Sequence, residues 1–273
     1  MTTKVLVSGG FDDLRAHQVR FLHAAADLGE LHVHLWPDEA IAQRTGQPPK
    51  FPYAERHYLL NSLRYVSRIL APAPTPKGDG LPGPTDFKPD LWVIDGADPD
   101  LAASIKAQCQ SHCQACCTVA PGDLAGFPEP IPQPFSGRKK VLVTGCYDWF
   151  HSGHVRFFEE VSQLGDLIAV VGNDANVRLL KGEGHPLFAQ DERRYLVGAI
   201  RFVHLALVAT GKGWLDAEPE IRRLQPDIYA VNEDGDKPEK SSYCAQHGIE
   251  YRVLKRTPKE GLPKRQSTAL RGF

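Results

Sequence analysis

The chain lacks any apolar run approaching the ~20 residues a bilayer-spanning helix needs, and its opening, MTTKVLVSGGFDD, offers three apolar residues in a row before charge and glycine intervene. A membrane span and a secretory leader are disfavoured, and a soluble cytoplasmic protein is expected. An excess of charge is missing too. Thirty-two lysines and arginines face 33 aspartates and glutamates, for a formal net charge of -1 and a pI of about 6.8. Neither nucleic acid nor an acidic membrane surface is favoured as a partner. Cysteine is sparse, with six in 273 residues. A chain this long, without an export signal, points to free thiols and not to a disulfide framework. What is present is ordinary globular composition, 42% hydrophobic and 24% charged, enough for one full core or two small ones.

The most informative feature is an internal repeat. Val5-Leu6-Val7-Ser8-Gly9 falls on Val141-Leu142-Val143-Thr144-Gly145 at an offset of 136 residues, as do Asp12 on Asp148, Val19-Arg20-Phe21 on Val155-Arg156-Phe157, and Leu28-Gly29 on Leu164-Gly165. With one residue inserted, Glu55-Arg56 falls on Glu192-Arg193 and Pro89-Asp90-Leu91 on Pro226-Asp227-Ile228. Two lobes of one fold are expected, residues 1–120 and 139–273, joined by a stiff proline-rich connector over 121–138. In each lobe apolar runs alternate with helical patterns, which is the order of a parallel sheet covered by helices on both faces. In the second lobe the runs are 141–143, 167–171, 205–209 and 228–231, with helices over 193–203 and 214–224. The fold class is α/β, two tandem Rossmann-like lobes. Residues 71–89 read as a surface loop, and His32 and His34 as an exposed strand face.

The chemistry concentrates where the strand Val141-Leu142-Val143 runs into Gly145-Cys146-Tyr147-Asp148-Trp149-Phe150-His151-Ser152-Gly153-His154 and then into a helix. Ligands bind beyond the carboxyl ends of parallel strands, where a helix N-terminus presents free N–H groups and a positive dipole to phosphate. Two imidazoles three residues apart share one face of that first turn, and Gly153 leaves room for phosphate against the backbone. The alternative roles are ordinary ones: first-turn helix residues for the histidines, a solvated turn lysine for Lys181, a helix-face ion pair for Arg201 and a helix cap for Asp148.

In this setting the sequence resembles the HxGH nucleotidyltransferase superfamily, the cytidylyltransferase-like enzymes, because His151-Ser-Gly-His154 lies between strand and helix and is followed in family order by Lys181-Gly182, Glu192-Arg193 and Ser267-Thr268. The resemblance covers residues 140–271 well and the first lobe only as a degraded copy. It implies an enzyme that joins a nucleoside triphosphate to a phosphate-bearing small molecule and releases pyrophosphate, by positioning and charge stabilisation. Carried over, His151, His154 and Lys181 are the catalytic residues. Gly145, Cys146, Tyr147, Asp148 and Gly153 belong to the nucleotide site, with Asn232, Asp234 and Gly235 near the base and Ser267 and Thr268, opening the last helix, on the outer phosphates. The family's arginine ahead of the Ser-Thr pair is Arg256 or Arg265. Asn173, Asp174, Arg193 and Arg201 are assigned to the acceptor. Mg²⁺ is implied with the triphosphate, not by any visible ligand cluster. CTP and a small phosphorylated alcohol are favoured, with ATP and a sugar phosphate, or a non-catalytic nucleotide-binding regulator, as alternatives. The tandem layout resembles ethanolamine-phosphate cytidylyltransferases, whereas the second lobe is equally similar to glycerol-phosphate cytidylyltransferases and heptose-phosphate adenylyltransferases. A monomer with pseudo-dimeric lobes or a homodimer follows, because enzymes of this family commonly work as dimers.

In the first lobe His151 and His154 are replaced by Arg15 and Gln18, no lysine stands at Thr45-Gly46, and the Ser-Thr counterpart is Phe127-Pro128-Glu129-Pro130. That lobe is expected to be catalytically silent. The cluster Cys109, His112, Cys113, Cys116 and Cys117 imitates a zinc site, but Cys109 and His112 align with Cys244 and His247, where no cluster follows. Packing is the reading preferred. The protein purified without chelator is expected to carry no stoichiometric zinc by elemental analysis, and one zinc per chain lost with stability in Cys113→Ser would contradict this.

Overall fold

The computed structural model describes residues 2–70, 87–111, 114–129 and 134–270, with the backbone alone at 268 and 269. The chain divides into two compact units, Met1–Gly126 and Phe127–Phe273. The first holds strands β1 (Lys4–Gly9), β2 (Glu30–Leu35), β3 (Arg68–Leu70), β4 (Leu91–Asp95) and β5 (Cys116–Val119), with helices α1 (Ala16–Ala26), α2 (Asp38–Thr45), α3 (Tyr53–Asn61) and α4 (Pro99–Ser111) between them. The second holds β6 (Lys140–Gly145), β7 (Asp166–Val171), β8 (Val203–Val208), β9 (Ile228–Asn232) and β10 (Glu250–Leu254), with α5 (Ser152–Ser162), α6 (Asp174–Lys181), α7 (Gln190–Gly198), α8 (Glu218–Leu224) and α9 (Pro238–Gln246). All pairings are parallel. The sheet orders are β3-β2-β1-β4-β5 and β8-β7-β6-β9-β10, so both units follow the expected α/β plan with the same strand order.

The repeated Leu-Gly pair has a steric cause. Where α5 turns into β7, a Cβ on Gly165 would stand 2.0 Å from the Lys139 carbonyl oxygen, and on Gly29 it would stand 2.2 Å from that of Thr3. Those carbonyls accept the first ladder bonds, from Asp166 and Glu30 N–H at 2.8 Å each. Beyond the turn, β7 is buried at every residue from Asp166 to Val171, as suits a strand covered on both faces.

Several boundaries differ from the sequence reading. The helix expected over 193–203 is α7, and it ends at Gly198 because Val203 already belongs to the strand. The helix at 214–224 begins at Glu218. The proline-rich stretch is shared between the units: Pro121–Leu124 forms a 3₁₀ turn on α1 with Leu124 buried, Arg194 donates to the Phe127 and Pro128 carbonyls, and Ser136 donates through N–H and hydroxyl to Asp166. Most of the loop expected at 71–89 lies outside the described residues. His32 and His34, expected on an exposed face, are buried, and the His32 ring packs on Phe87 at 4.5 Å between centroids. His34 Nδ1 meets the Ser8 hydroxyl at 3.0 Å, and burial pushes its pKa down to about 4. Cys109 and Cys244 are core residues, and burial raises their thiols to about 12 and about 11. His112 and Cys113 lie outside the described residues. Among the described residues no group of three or more His, Cys, Asp or Glu could hold a metal ion, and no helix is long and apolar enough to cross a membrane.

One buried arginine organises each unit. Arg193, fully buried on α7, donates Nε–H to the Phe188 carbonyl at 2.8 Å and Nη1–H to that of Cys146 at 2.6 Å. Its Nη2 reaches the Gly172 carbonyl at 2.8 Å and Asp174 Oδ1 at 2.7 Å. Arg56 repeats the pattern on the Phe51, Gly10 and Trp36 carbonyls and on Asp38. Each guanidinium therefore ties the loops after two neighbouring strands to the helix it sits on. Removing one partner of a buried charged network typically costs about 3–5 kcal/mol, so Arg193→Ala should lower the second unit's unfolding free energy by that order and Arg56→Ala the first unit's. Denaturant melts followed by circular dichroism would test it, and a loss under about 1 kcal/mol would show the contacts to be incidental.

Candidate nucleotide site

The second unit opens a cavity of about 220 Å³ at the carboxyl ends of β6 and β9. Most of the residues carried over from the resemblance meet there. Gly145, Cys146, Tyr147, Asp148, Gly153, His154, Lys181, Asn232, Asp234, Gly235, Arg256 and Ser267 all line it. Arg265 lines a shallower recess next to it, together with Gly153, Asn232 and Arg256. Arg256 is thus the arginine on the cavity. Its guanidinium pairs with Asp234 and donates to the Arg265 carbonyl at 3.1 Å. Ser267 opens a single 3₁₀ turn over Ser267–Leu270 instead of the α-helix expected there. The side chain of Thr268 lies outside the described residues.

The HxGH segment builds its own geometry. His151 is the N-cap of α5, and its Nδ1 accepts the Gly153 N–H at 3.1 Å. That bond needs glycine: a Cβ at 153 would stand 2.9 Å from His151 Cε1 and 3.0 Å from Nδ1. With Nδ1 accepting, the neutral ring carries its proton on Nε2, which faces the Ser267 hydroxyl at 3.3 Å. His154 Nδ1 accepts the His151 N–H at 3.4 Å, so its proton also sits on Nε2. The two rings stack 4.0 Å apart. Tyr147 packs its edge on His154 from a left-handed backbone, φ 55°. The ring of Tyr147 fills the space a Cβ on Gly145 would need, at 2.6 Å.

Burial, then Arg256 and Arg265, push the His151 pKa down to about 3. Burial, then His151, Arg256 and Lys181, drive His154 well below its ordinary value. Both imidazoles are therefore neutral donors at neutral pH, set between the positive end of α5 and fixed cations, a surrounding that suits phosphate oxygens.

The four acceptor assignments do not meet in this cavity. Arg193 is committed to three carbonyls and Asp174, as described above, and Asp174 is its partner. Asn173 caps α6, accepting the Asn176 N–H at 2.8 Å and donating to the Ala209 and Gly211 carbonyls. Arg201 precedes β8 and lies at the amino ends of the strands, beside Arg138, Asp166 and His204. Asp148 is not a helix cap either: its Oδ1 accepts the Leu187 and Phe188 amides at 2.8 and 3.0 Å. Sequence reasoning assigned no site role to six of the lining residues, Thr144, Trp149, Phe157, His185, Val231 and Lys240. Lys240, whose pKa burial lowers, donates to the Gly235 carbonyl at 3.1 Å.

At the matching place in the first unit, Arg15 pairs with Asp13 through Nε at 2.9 Å and Nη2 at 2.9 Å. His17, aligned with Gly153, contacts Asp95, aligned with Asn232, at 3.1 and 3.3 Å. His17 and Asp95 thus join across positions that line the open cavity of the second unit.

Comparison with known proteins agrees with this geometry. Residues 142–243, all within the second unit, match the family model described as cytidylyltransferase-like. The bifunctional protein HldE of Campylobacter concisus is 35% identical over 100 residues, 36% of this chain and 21% of that protein. The FAD synthase of Ferroglobus placidus is 36% identical over 97 residues, 35% of this chain and 60% of that protein. The chain thus spans about a fifth of the one relative and three fifths of the other. A lipopolysaccharide core biosynthesis protein from Thermoplasma volcanium GSS1 aligns over 45% of this chain and 100% of its own at 24% identity and a TM-score of 0.38.

The buried histidines make stability depend on pH. Their folded pKa values lie below the ordinary 6.5, that of His151 at about 3, so below about 6.5 the unfolded chain binds protons that the folded one does not. Their contribution is complete above about pH 6.5 and is lost as pH falls, by about 1.4 kcal/mol per pH unit for each histidine. Melts from pH 7.5 to 4.5 should show this slope for the second unit and a shallower one in His151→Asn. An identical slope in the variant would refute the assignment.

Proposed function

We propose that the second unit transfers a nucleotidyl group from a nucleoside triphosphate to a small phosphate-bearing acceptor, and that the first unit is catalytically silent. The observation that carries this reading is the stacked pair of neutral histidines at the N-terminus of α5, where buried His151 gives its N–H to His154 Nδ1 and His154 lines a cavity that Lys181 and Arg256 also line. An acceptor phosphate oxygen attacks the α-phosphorus in line. The new P–O bond forms as the bond to the bridging oxygen of the β-phosphate breaks, and pyrophosphate leaves with the electron pair. His154 Nε2–H and the α5 amides donate to the oxygens that gain charge, while Lys181 and Arg256 balance the triphosphate. Ser267 steadies His151 and stands beside the outer phosphates.

Mg²⁺ fits this scheme as a companion of the triphosphate. Of the acidic residues on the cavity wall, Asp234 pairs with Arg256, and Asp148 gives Oδ1 to two amides while its buried Oδ2 faces His185, so phosphate oxygens and water would be the main ligands. The ion would screen charge on the leaving pyrophosphate.

For the base, the sequence reading favours CTP with a phosphorylated alcohol. ATP with a sugar phosphate is the second reading, supported by the similarity to a FAD synthase, whose named product contains an adenylyl group. The silence of the first unit is supported by Arg15 and His17, whose partners are the chain's own Asp13 and Asp95.

Thermal shifts with CTP, ATP, GTP and UTP plus Mg²⁺ should single out one nucleotide, since a ligand of the native state raises its melting temperature. Calorimetric titration should then give one nucleotide per chain, and Arg15→Ala should leave it unchanged. With an acceptor found by screening, His154→Ala should lower pyrophosphate release by ~10²–10³ without loss of fold. Near wild-type release in that variant, or two equivalent sites per chain, would overturn the proposal.

A further inference from the structure

Asp12 and Asp148 hold the same place in the two units, yet their carboxylates are used differently. In the first unit each oxygen accepts one backbone amide, Oδ1 from Phe51 at 2.8 Å and Oδ2 from Lys50 at 2.7 Å. In the second, Oδ1 takes both corresponding amides, Leu187 and Phe188. Oδ2 is left buried with no hydrogen-bond partner among the described residues. His185 faces it, with Nδ1 3.8 Å away, and His185 lines the cavity. The first unit has Pro48 at the aligned position, a residue with no donor to offer. The acid is retained in both units, whereas the half-used carboxylate and the histidine in front of it occur where the cavity is open.

A buried carboxylate oxygen without a donor is unfavourable. It can persist where it serves to hold another group, and a carboxylate on one imidazole nitrogen fixes the tautomer and direction of the other. We infer that His185 binds the phosphate of the acceptor as an imidazolium, and that Asp148 is its positioning residue, accepting Nδ1–H at Oδ2 so that Nε2–H is presented to the ligand. The inference rests on the nucleotidyl-transfer reading. It supplies the acceptor ligand that Asn173, Asp174, Arg193 and Arg201 do not, and the loop holding it is the one that begins at Lys181. Gly182 and Gly184, at φ 86° and 79° with open space beside them, give that loop a path other residues would strain. The ligand class is a phosphate monoester, set beside the triphosphate.

Inorganic phosphate serves as the probe for the acceptor's phosphate, added to the full chain saturated with Mg²⁺ and the α,β-methylene analogue of the triphosphate it prefers, so that no transfer occurs. Calorimetry should show phosphate binding to the wild type, weakened at least about tenfold in His185→Ala, the loss of a hydrogen bond to a charged group, and restored in His185→Arg. Affinity for the analogue should stay unchanged in both variants. Asp148→Asn keeps an acceptor for the two amides and should weaken phosphate binding, with no added loss when combined with His185→Ala. Unaltered phosphate binding in His185→Ala, or no phosphate binding in a wild type that does bind the analogue, would overturn the inference and leave the nucleotidyl-transfer reading standing. A wild type that binds no triphosphate would instead remove that reading, and the inference with it.

Discussion

A guanidinium sealed at the carboxyl ends of two parallel strands sets the shape of everything that faces the cavity. Arg193 bonds to the carbonyls of Cys146 and Gly172, which follow β6 and β7, and to that of Phe188, which precedes its own helix. These three loops carry the HxGH residues, the start of α6 and the end of the His185 segment. Without a donor at their centre their carbonyls would be buried unpaired, a penalty of about 1–3 kcal/mol for each group. Arg56 does the same work in a unit with no HxGH, so the clamp belongs to the fold and precedes any chemistry built on it.

On that frame the two units differ in what fills the space between the α1 or α5 N-terminus and the end of the neighbouring strand. The second unit leaves it lined by Gly153, Asn232, Lys181 and Arg256. The first has side-chain contacts of its own in this region, an ion pair of Arg15 with Asp13 and a contact of His17 with Asp95. An internal carboxylate then stands near the cation that a phosphate would otherwise approach, and it competes without any loss of translational freedom.

Much of this was legible in the sequence. The repeat, the alternation of apolar runs and helices, and the strand–HxGH–helix junction each predicted the element that forms, because glycine turns and buried strands leave strong local patterns. The cavity residues from Gly145 to His154 and from Asn232 to Gly235 were legible for the same reason. The acceptor residues were not. Arg193 and Arg56 aligned in the repeat, and that alignment already marked an arginine kept in a lobe without the chemistry, a sign of structure that the resemblance overrode. Arg201 was assigned to the acceptor through the resemblance, on a helix expected to run to 203, but α7 ends at Gly198 and Arg201 lies at the other end of the sheet. His185 and Lys240 carry no local pattern. Only the folding of distant loops around Asp148 and Gly235 brings them to the cavity.

The reciprocal bond between residues 151 and 154 carries a consequence for how such a site can decay. The imidazole of His154 terminates the helix as well as facing the cavity, so any replacement is screened first for its ability to start α5. In the first unit Gln18 stands at the equivalent position, and its amide oxygen accepts the Arg15 N–H at 2.8 Å, the same backbone bond made by a different acceptor. A descendant lineage could thus discard phosphate binding while keeping helix initiation. It would do so through residues with a side-chain acceptor of the right reach, which narrows the sequences by which a duplicated lobe falls silent and still folds.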